Sequence, residues 1–263
     1  MRPYVVWTPP YDRRSGGIMV MHRLCHELNE RGQEAYINVD QVNTKWNTPY
    51  YGKTALENPI VVYPEITHGN PLGYQTVVRY ILNNIGKLSG PTAYPPTDIL
   101  FAFSRMFNDW GAPEERIMFL PVIDTGVYKD TGQHRDKALY YIGKGSRRSF
   151  IDETFDAIAI DNQTGADPQN LSHLLQTATV LYCYDNITAM TELARLCGCP
   201  VVLVPNGEYS EEKYQEHEMG MEGLGWNKMP EPFDSSKFME RYKALKETFY
   251  SKLDTFIEVT QKG

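Results

Sequence analysis

The sequence predicts an α/β protein made of two similar units in tandem, and three observations predict it. Short apolar runs recur along the chain, apolar on both faces as the strands of a parallel sheet must be. Between them lie stretches of helical period that end in glycine. The alternation stops at a polar, glycine-bearing segment, 124–136, and then restarts. Alternating strands and helices imply a doubly wound α/β layer, here twice over.

The first unit opens with the apolar run YVVWT at 4–8. A helix is expected over 17–31, with Ile18, Met21, Leu24, Cys25 and Leu28 as its buried stripe and Gly32 ending it. AYINV (35–39), IVVYP (60–64), DILFAF (98–103) and IMFLP (117–121) read as strands. GYQTVVRYILNNIG (73–86) reads as a second helix ending in glycine. After the linker, ALYYIG (138–143), FDAIAI (155–160), ATVLYCY (178–184) and PVVLVP (200–205) read as strands, with helices at 167–176 and 186–198. A charged amphipathic helix closes the chain. The expected organisation is a Rossmann-like domain over 1–125, a second over 136–234 and a C-terminal helix over 235–263. If two such domains face each other, their strand-end loops line one crevice, since open parallel sheets bind ligands at the carboxyl ends of their strands.

Composition narrows the function classes. The 263 residues carry a net charge of −7 and no block of Lys or Arg, which argues against a broad nucleic-acid surface. Cys25 and Cys183 lie in apolar runs, where a thiol behaves as a small hydrophobe. The C-G-C at 197–199 lacks a second cluster, so no zinc site is expected. A reducing, cytoplasmic setting follows. Nothing ahead of the first strand reads as a signal peptide. No apolar run approaches the ~18 residues of a membrane helix, so membrane contact would be at most peripheral.

Four stretches could carry chemistry. The first is RRSGG, 13–17, a basic loop between a strand and a helix. Glycines let backbone approach a ligand, and a helix N-terminus favours negative charge; equally, Gly16 and Gly17 could serve only a tight turn. The dinucleotide fingerprint G-x-G-x-x-G is missing. The second is YPEITHGNPLG, 63–73, a polar loop after a strand that carries Glu65, His68 and Asn70. His68 is a candidate general base and Asn70 a candidate for substrate recognition; an ordinary surface loop would look the same. His22, on the margin of the first helix's apolar stripe, reads as a packed histidine.

The third stretch is YIGKGSRRSF, 141–150. Lys144 between glycines, with Arg147 and Arg148 behind it, could neutralise a departing diphosphate or form a solvated basic loop. The fourth is LYCYDNITAMTELARLCGCPVVLVP, 181–205. Its helix is expected to bury Ile187, Met190, Leu193, Ala194 and Cys197. Thr188 would then sit in the first turn facing phosphate, with Glu192 four residues on, exposed on the same side and able to accept from a ribose diol.

The fourth stretch resembles the donor-binding segment of GT-B glycosyltransferases, chiefly their family 4 group. SGGIMVMHRLCHELNERG is similar to that group's opening loop and first helix, and YPEITHGNPLG to bacterial enzymes that build surface polysaccharides. The resemblance runs in order over most of the chain. It implies a GT-B fold of two Rossmann-like domains, the second binding the nucleotide-sugar donor. It implies transfer of a sugar to a hydroxyl of a glycan or glycolipid, with no metal or other cofactor and with retention of configuration. In its terms Gly16 and Gly17 face the donor, Lys144 with Arg147 or Arg148 holds the diphosphate, and Glu192 binds ribose. The group often has a second glutamate eight positions earlier. Tyr184 stands there, with Asp185 beside it, in reach of the sugar. The chain is also short for the family. A nucleotide-sugar 2-epimerase of similar architecture and a non-catalytic nucleotide-sugar-binding module or partner subunit are the alternatives.

Overall fold

The computed structural model describes residues 1–52, 55–145, 151–161 and 163–263. The chain divides into two units, Met1–Val122 with Leu245–Gly263, and Ile123–Ala244. Each is an α/β unit with a five-stranded, all-parallel sheet. The boundary falls at the start of the expected linker. A C-terminal helix spans Ser235–Lys262, its residues up to Ala244 counted with the second unit and those from Leu245 with the first.

The first sheet contains β1 (Tyr4–Val6), β2 (Ala35–Ile37), β3 (Ile60–Pro64), β4 (Thr76–Ile81) and β5 (Ile99–Ala102), in the order β2-β1-β3-β4-β5. Strand order therefore reverses between β1 and β3. One face is covered by α1 (Gly16–Glu30) and by the later part of α5 (Ser235–Lys262). Leu24 and Leu28 of α1 and Phe249, Leu253 and Phe256 of α5 are buried there. Each such side chain contributes about 1.5–3 kcal/mol through removal from water. Ser15 caps α1, its hydroxyl accepting from the Ile18 amide, and Gly32 follows its end in the left-handed region. The opposite face is thinner: Val61, Tyr63 and Val77 pack against Trp7, Leu72 and Tyr74.

The helix expected over 73–86 is instead β4. Val77, Val78, Tyr80 and Ile81 suit either period, but Thr76–Ile81 is rich in β-branched and aromatic residues and is buried on both faces. It pairs with β3 on one side and β5 on the other. The strand expected at 117–121 is reduced to a single bridge between Ile117 and Ala102. Met118 and Leu120 still enter the core there.

The second sheet contains β6 (Lys137–Tyr141), β7 (Ile158–Ala159), β8 (Ala178–Cys183), β9 (Val201–Leu203) and β10 (Leu224–Trp226), in the order β10-β9-β8-β6-β7. Its reversal lies between β6 and β8. The helices α2 (Pro168–Gln176), α3 (Met190–Leu196) and α4 (Glu211–Tyr214) belong to this unit. Asp167 caps α2 by accepting from the Gln169 amide at 3.0 Å, and Pro168 begins it. All four cysteines are free and buried. No helix among the described residues is long and apolar enough to cross a membrane.

Candidate functional site

In open α/β sheets the carboxyl ends of the strands on either side of an order reversal leave a crevice for ligands. In the second unit those ends are the loops that follow β6 and β8. The sequence-selected Lys144 lies in the first; Tyr184, Asp185 and Thr188 lie in the second. The two loops are tied together. The Lys144 amide donates to Asp185 Oδ2 at 3.0 Å, and its ammonium donates to the Ile187 carbonyl at 2.7 Å and lies 3.2 Å from Asp185 Oδ2. Asp185 Oδ1 accepts from the Ile187 amide at 3.1 Å. The Tyr141 hydroxyl, pushed up in pKa chiefly by burial, is hydrogen-bonded to Thr188.

This packing explains the glycines around Lys144. A Cβ on Gly143 would overlap the Asp185 carboxylate, and one on Gly145 the Tyr184 carbonyl. Gly143 also sits at φ +51°. The loop needs glycine to reach its neighbour within the protein. Lys144 still has half its side chain exposed. Arg147 and Arg148 lie outside the described residues.

Three local expectations for this segment change. The helix starts at Met190, so Thr188 precedes it and is not in its first turn. Tyr184 is buried, its hydroxyl held by the Ile151 amide and by Thr154 Oγ1. Glu192 is not on an exposed side. It is 6% exposed, because α3 is covered by the sheet on one side and by 214–222 on the other. Thr191 Oγ1 donates to Glu192 Oε2 at 3.2 Å, and His217 Nε2 lies 3.4 Å from Oε1. Burial raises the Glu192 pKa and lowers that of His217 to about 3. Arg195, also buried, stacks 4.4 Å from the Phe238 ring and donates to the Gly220 and Glu222 carbonyls. The sequence did not mark this cluster, since 214–222 has no periodic pattern.

In the first unit the reversal is flanked by the loops after β1 and β3. Gly16 and Gly17 open α1, and Gly17 is not crowded: a Cβ there would meet Leu82 Cδ1 at an ordinary 3.6 Å. Arg14 is paired with Asp12. His22 is buried as expected, donating to or accepting from nothing through Nδ1, with Nε2 3.0 Å from the Pro9 carbonyl.

The 65–73 loop is held from beneath by Arg79 of β4, which is 1% exposed. Arg79 Nε donates to Asp98 at 2.7 Å, and its two terminal nitrogens donate to the Thr67 and Gly69 carbonyls. The guanidinium lies 5.0 Å from the ring centroids of both Tyr63 and Tyr94. Asn70 is used locally, accepting from the Tyr63 hydroxyl and donating to the Tyr74 carbonyl. His68 is exposed, with Nε2 2.8 Å from the Ser89 carbonyl. Glu65, by contrast, is buried, and desolvation raises its pKa to about 7.

Elsewhere, a surface depression of about 330 Å³ runs along α1 and α5, lined by Arg23, His26, Glu27, Glu30, Arg31 and Tyr250. Its arginines are engaged, Arg23 with Glu27 and Trp46, Arg31 with Asp254 and Tyr250. Among the described residues no group of three or more His, Cys, Asp or Glu could hold a metal ion.

No protein-family model and no curated protein matches the chain. Among solved structures, it is similar to the glycosyltransferase SnogD from Streptomyces nogalater, at 14% identity over 100% of both chains with a TM-score of 0.46. It is also similar to an alpha-glucosyltransferase in complex with UDP and a 13-mer DNA containing a HMU base, at 13% identity over 96% of this chain and 95% of that one, TM-score 0.45. The wall teichoic acid polymerase TagF matches at 11% identity over 98% of this chain and 83% of its own, TM-score 0.37. Superpositions this loose decide neither activity nor substrate.

Proposed function

We propose that the protein is a GT-B glycosyltransferase that moves a sugar from a nucleotide-diphosphate donor to a hydroxyl of a glycan or glycolipid. One observation carries the reading. The segment that resembles the donor-binding region of that family, 181–205, includes the loop after β8, and the loop after β6, with Lys144, lies on the other side of the strand-order reversal in the second sheet. The reversal of strand order, where open parallel sheets bind ligands, supports the reading.

In this reading the exposed Lys144 ammonium meets the donor diphosphate, joined by Arg147 or Arg148. Fixed protein charge takes up the negative charge of the leaving group, so no metal is required. Asp185 keeps the Lys144 loop in position. Thr188, half-buried beside it, offers a hydroxyl to phosphate. Gly16 and Gly17 open α1 in the first unit, where backbone amides favour an anion. Asn70 belongs to the acceptor side. Glu192 would reach a ribose only by exchanging Thr191 and His217 for it.

A specific observation favours a second reading, a nucleotide-sugar-binding module without turnover: the Lys144 charge already has a carboxylate partner. Incubation with UDP-, GDP- and dTDP-sugars separates the readings. Release of nucleotide, with transfer to an added glycoside, is the expected result. A changed sugar still attached to its nucleotide would make the protein an epimerase, and tight binding without turnover would make it the module.

A further inference from the structure

Within the second unit the turn 215–219 meets the carboxylate of Glu192, and its histidine is oriented toward it. His217 Nδ1 accepts from the Met219 amide at 3.1 Å. Burial, with the charges of Arg195 and Arg241, lowers the ring's pKa to about 3 and keeps it neutral at pH 7. A neutral imidazole carries one ring proton, and with Nδ1 accepting, that proton is on Nε2. Nε2 is the atom 3.4 Å from Glu192 Oε1, so the turn aims a donor at the carboxylate. The turn is held on both sides. The Tyr214 ring stacks on His217 at 5.8 Å, and its hydroxyl meets Thr191 Oγ1 of α3 at 3.3 Å. Beyond the histidine, Arg241 of α5 donates to the Glu218 carbonyl at 3.1 Å, and Arg195 to the Gly220 carbonyl at 2.8 Å.

The match between these groups is incomplete. Arg195 is fully buried, and its Nη2 has no hydrogen-bond partner among the described residues. Nη2 lies 4.0 Å from Glu192 Oε1, too far to bond. The 3.4 Å from His217 is also long for a hydrogen bond to a carboxylate. A buried donor without a partner calls for an explanation such as a ligand or water. A hydroxyl placed at Oε1 can donate to the carboxylate and accept from Arg195 Nη2 at once. The imidazole cannot, since its one acceptor nitrogen is taken by Met219. Lys144, Asp185 and Glu192 all act on the charge of the buried Cys183 thiol, so Glu192 shares the electrostatic neighbourhood of the loops at the strand-order reversal.

We propose that His217 and the ribose of a nucleotide compete for Glu192, so that the turn carrying His217 is a latch on the nucleoside side of the site. The proposal rests on the glycosyl-transfer reading. Filling the site gives up the His217 contact and moves the imidazole toward water. In exchange, ribose hydroxyls supply the bonds that Glu192 and Arg195 lack. The latch therefore lowers nucleotide affinity without touching a phosphate.

The test is calorimetry of UDP, GDP and their 2′-deoxy forms with the full chain and with His217→Ala, together with an NMR pH titration of the assigned His217 ring in wild type. His217→Ala should bind whichever ribonucleotide is preferred about tenfold more tightly than wild type does. The gain should be smaller for the 2′-deoxy form, which brings one hydroxyl fewer. The wild-type ring alone should not titrate between about pH 5 and 8, and should titrate in the ordinary histidine range once the nucleotide is bound. Unchanged or weaker affinity in His217→Ala, an equal gain for the deoxy form, or a ring that still fails to titrate in the complex would overturn the proposal. The titration needs no variant to fold. If neither protein binds UDP or GDP, the glycosyl-transfer reading itself falls and takes this proposal with it. Binding by wild type with the ring still buried sinks the latch alone.

Discussion

The two strand-order reversals are occupied in opposite ways. In the second unit Lys144 is met by Asp185 and Ile187, Glu192 by Thr191 and His217, and Tyr184 by Ile151 and Thr154, while Arg195 Nη2 is left without a hydrogen-bond partner among the described residues. In the first unit Glu65 is buried with the Leu82 amide on its carboxylate, and the nearby strand ends leave Thr8 and Asn84 each with an unpartnered atom. A preformed, internally paired loop suits electrostatic binding of a charged ligand by a single exposed cation. Buried, unpaired polar atoms cost stability and suit a ligand that supplies the missing hydrogen bonds.

The contrast can be broken by substitution. The largest expected effect is at Arg79, whose guanidinium anchors the loop behind Glu65. Arg79→Met should destabilise the protein by about 3–5 kcal/mol, because it strands the Asp98 carboxylate and leaves the Thr67 and Gly69 carbonyls without their donor. Urea unfolding measures it, and a loss below ~1 kcal/mol would mean the loop is held by other contacts.

Glu65 should give the next largest effect. Its folded pKa lies above the ordinary glutamate value. Its contribution to stability is therefore fully present below the unfolded-state pKa and is lost as pH rises through about 7. Glu65→Gln should remove this loss and make the variant more stable than wild type at alkaline pH, by on the order of 3 kcal/mol. Parallel stability–pH curves for the two proteins would show that Glu65 is not desolvated.

Smaller effects separate the two glycine-bearing loops. Gly143→Ala should cost about 1–3 kcal/mol, since its Cβ meets Asp185 and its backbone is in the left-handed region. Lys144→Ala should weaken binding of UDP or GDP by about 1.5–3 kcal/mol in calorimetry, the worth of a charge-assisted hydrogen bond. Gly17→Ala should leave stability unchanged or raise it by up to ~1 kcal/mol, since it adds a helix former where the nearest atom is 3.6 Å away. A clear loss at Gly17 would give that glycine the packing role that Gly143 has.

Apolar runs and glycine stops made α1 and most strands legible, because burial on both faces leaves a local mark. β4 was misread because the apolar spacing of Val77, Val78, Tyr80 and Ile81 fits a helix as well as a strand; its β-branched content was the better signal. Glu192 was read as exposed because helical periodicity sees only the face toward the sheet. The cover on its other face comes from Tyr214 and His217, in a segment without periodicity. Glu65 could not be told from a surface glutamate. What fixes and buries it comes from Leu82 and Tyr94, 17 and 29 residues away, which no local pattern records.

We propose that the reversal in the second sheet holds a nucleotide diphosphate. A crystal structure with UDP or GDP bound tests it most directly. The diphosphate should lie between the loop of Gly143, Lys144 and Gly145 and the loop of Asp185 to Thr188, with the Lys144 ammonium on a phosphate oxygen. A nucleotide bound away from both loops, or one that leaves Lys144 on Asp185 and touches neither loop, would contradict it.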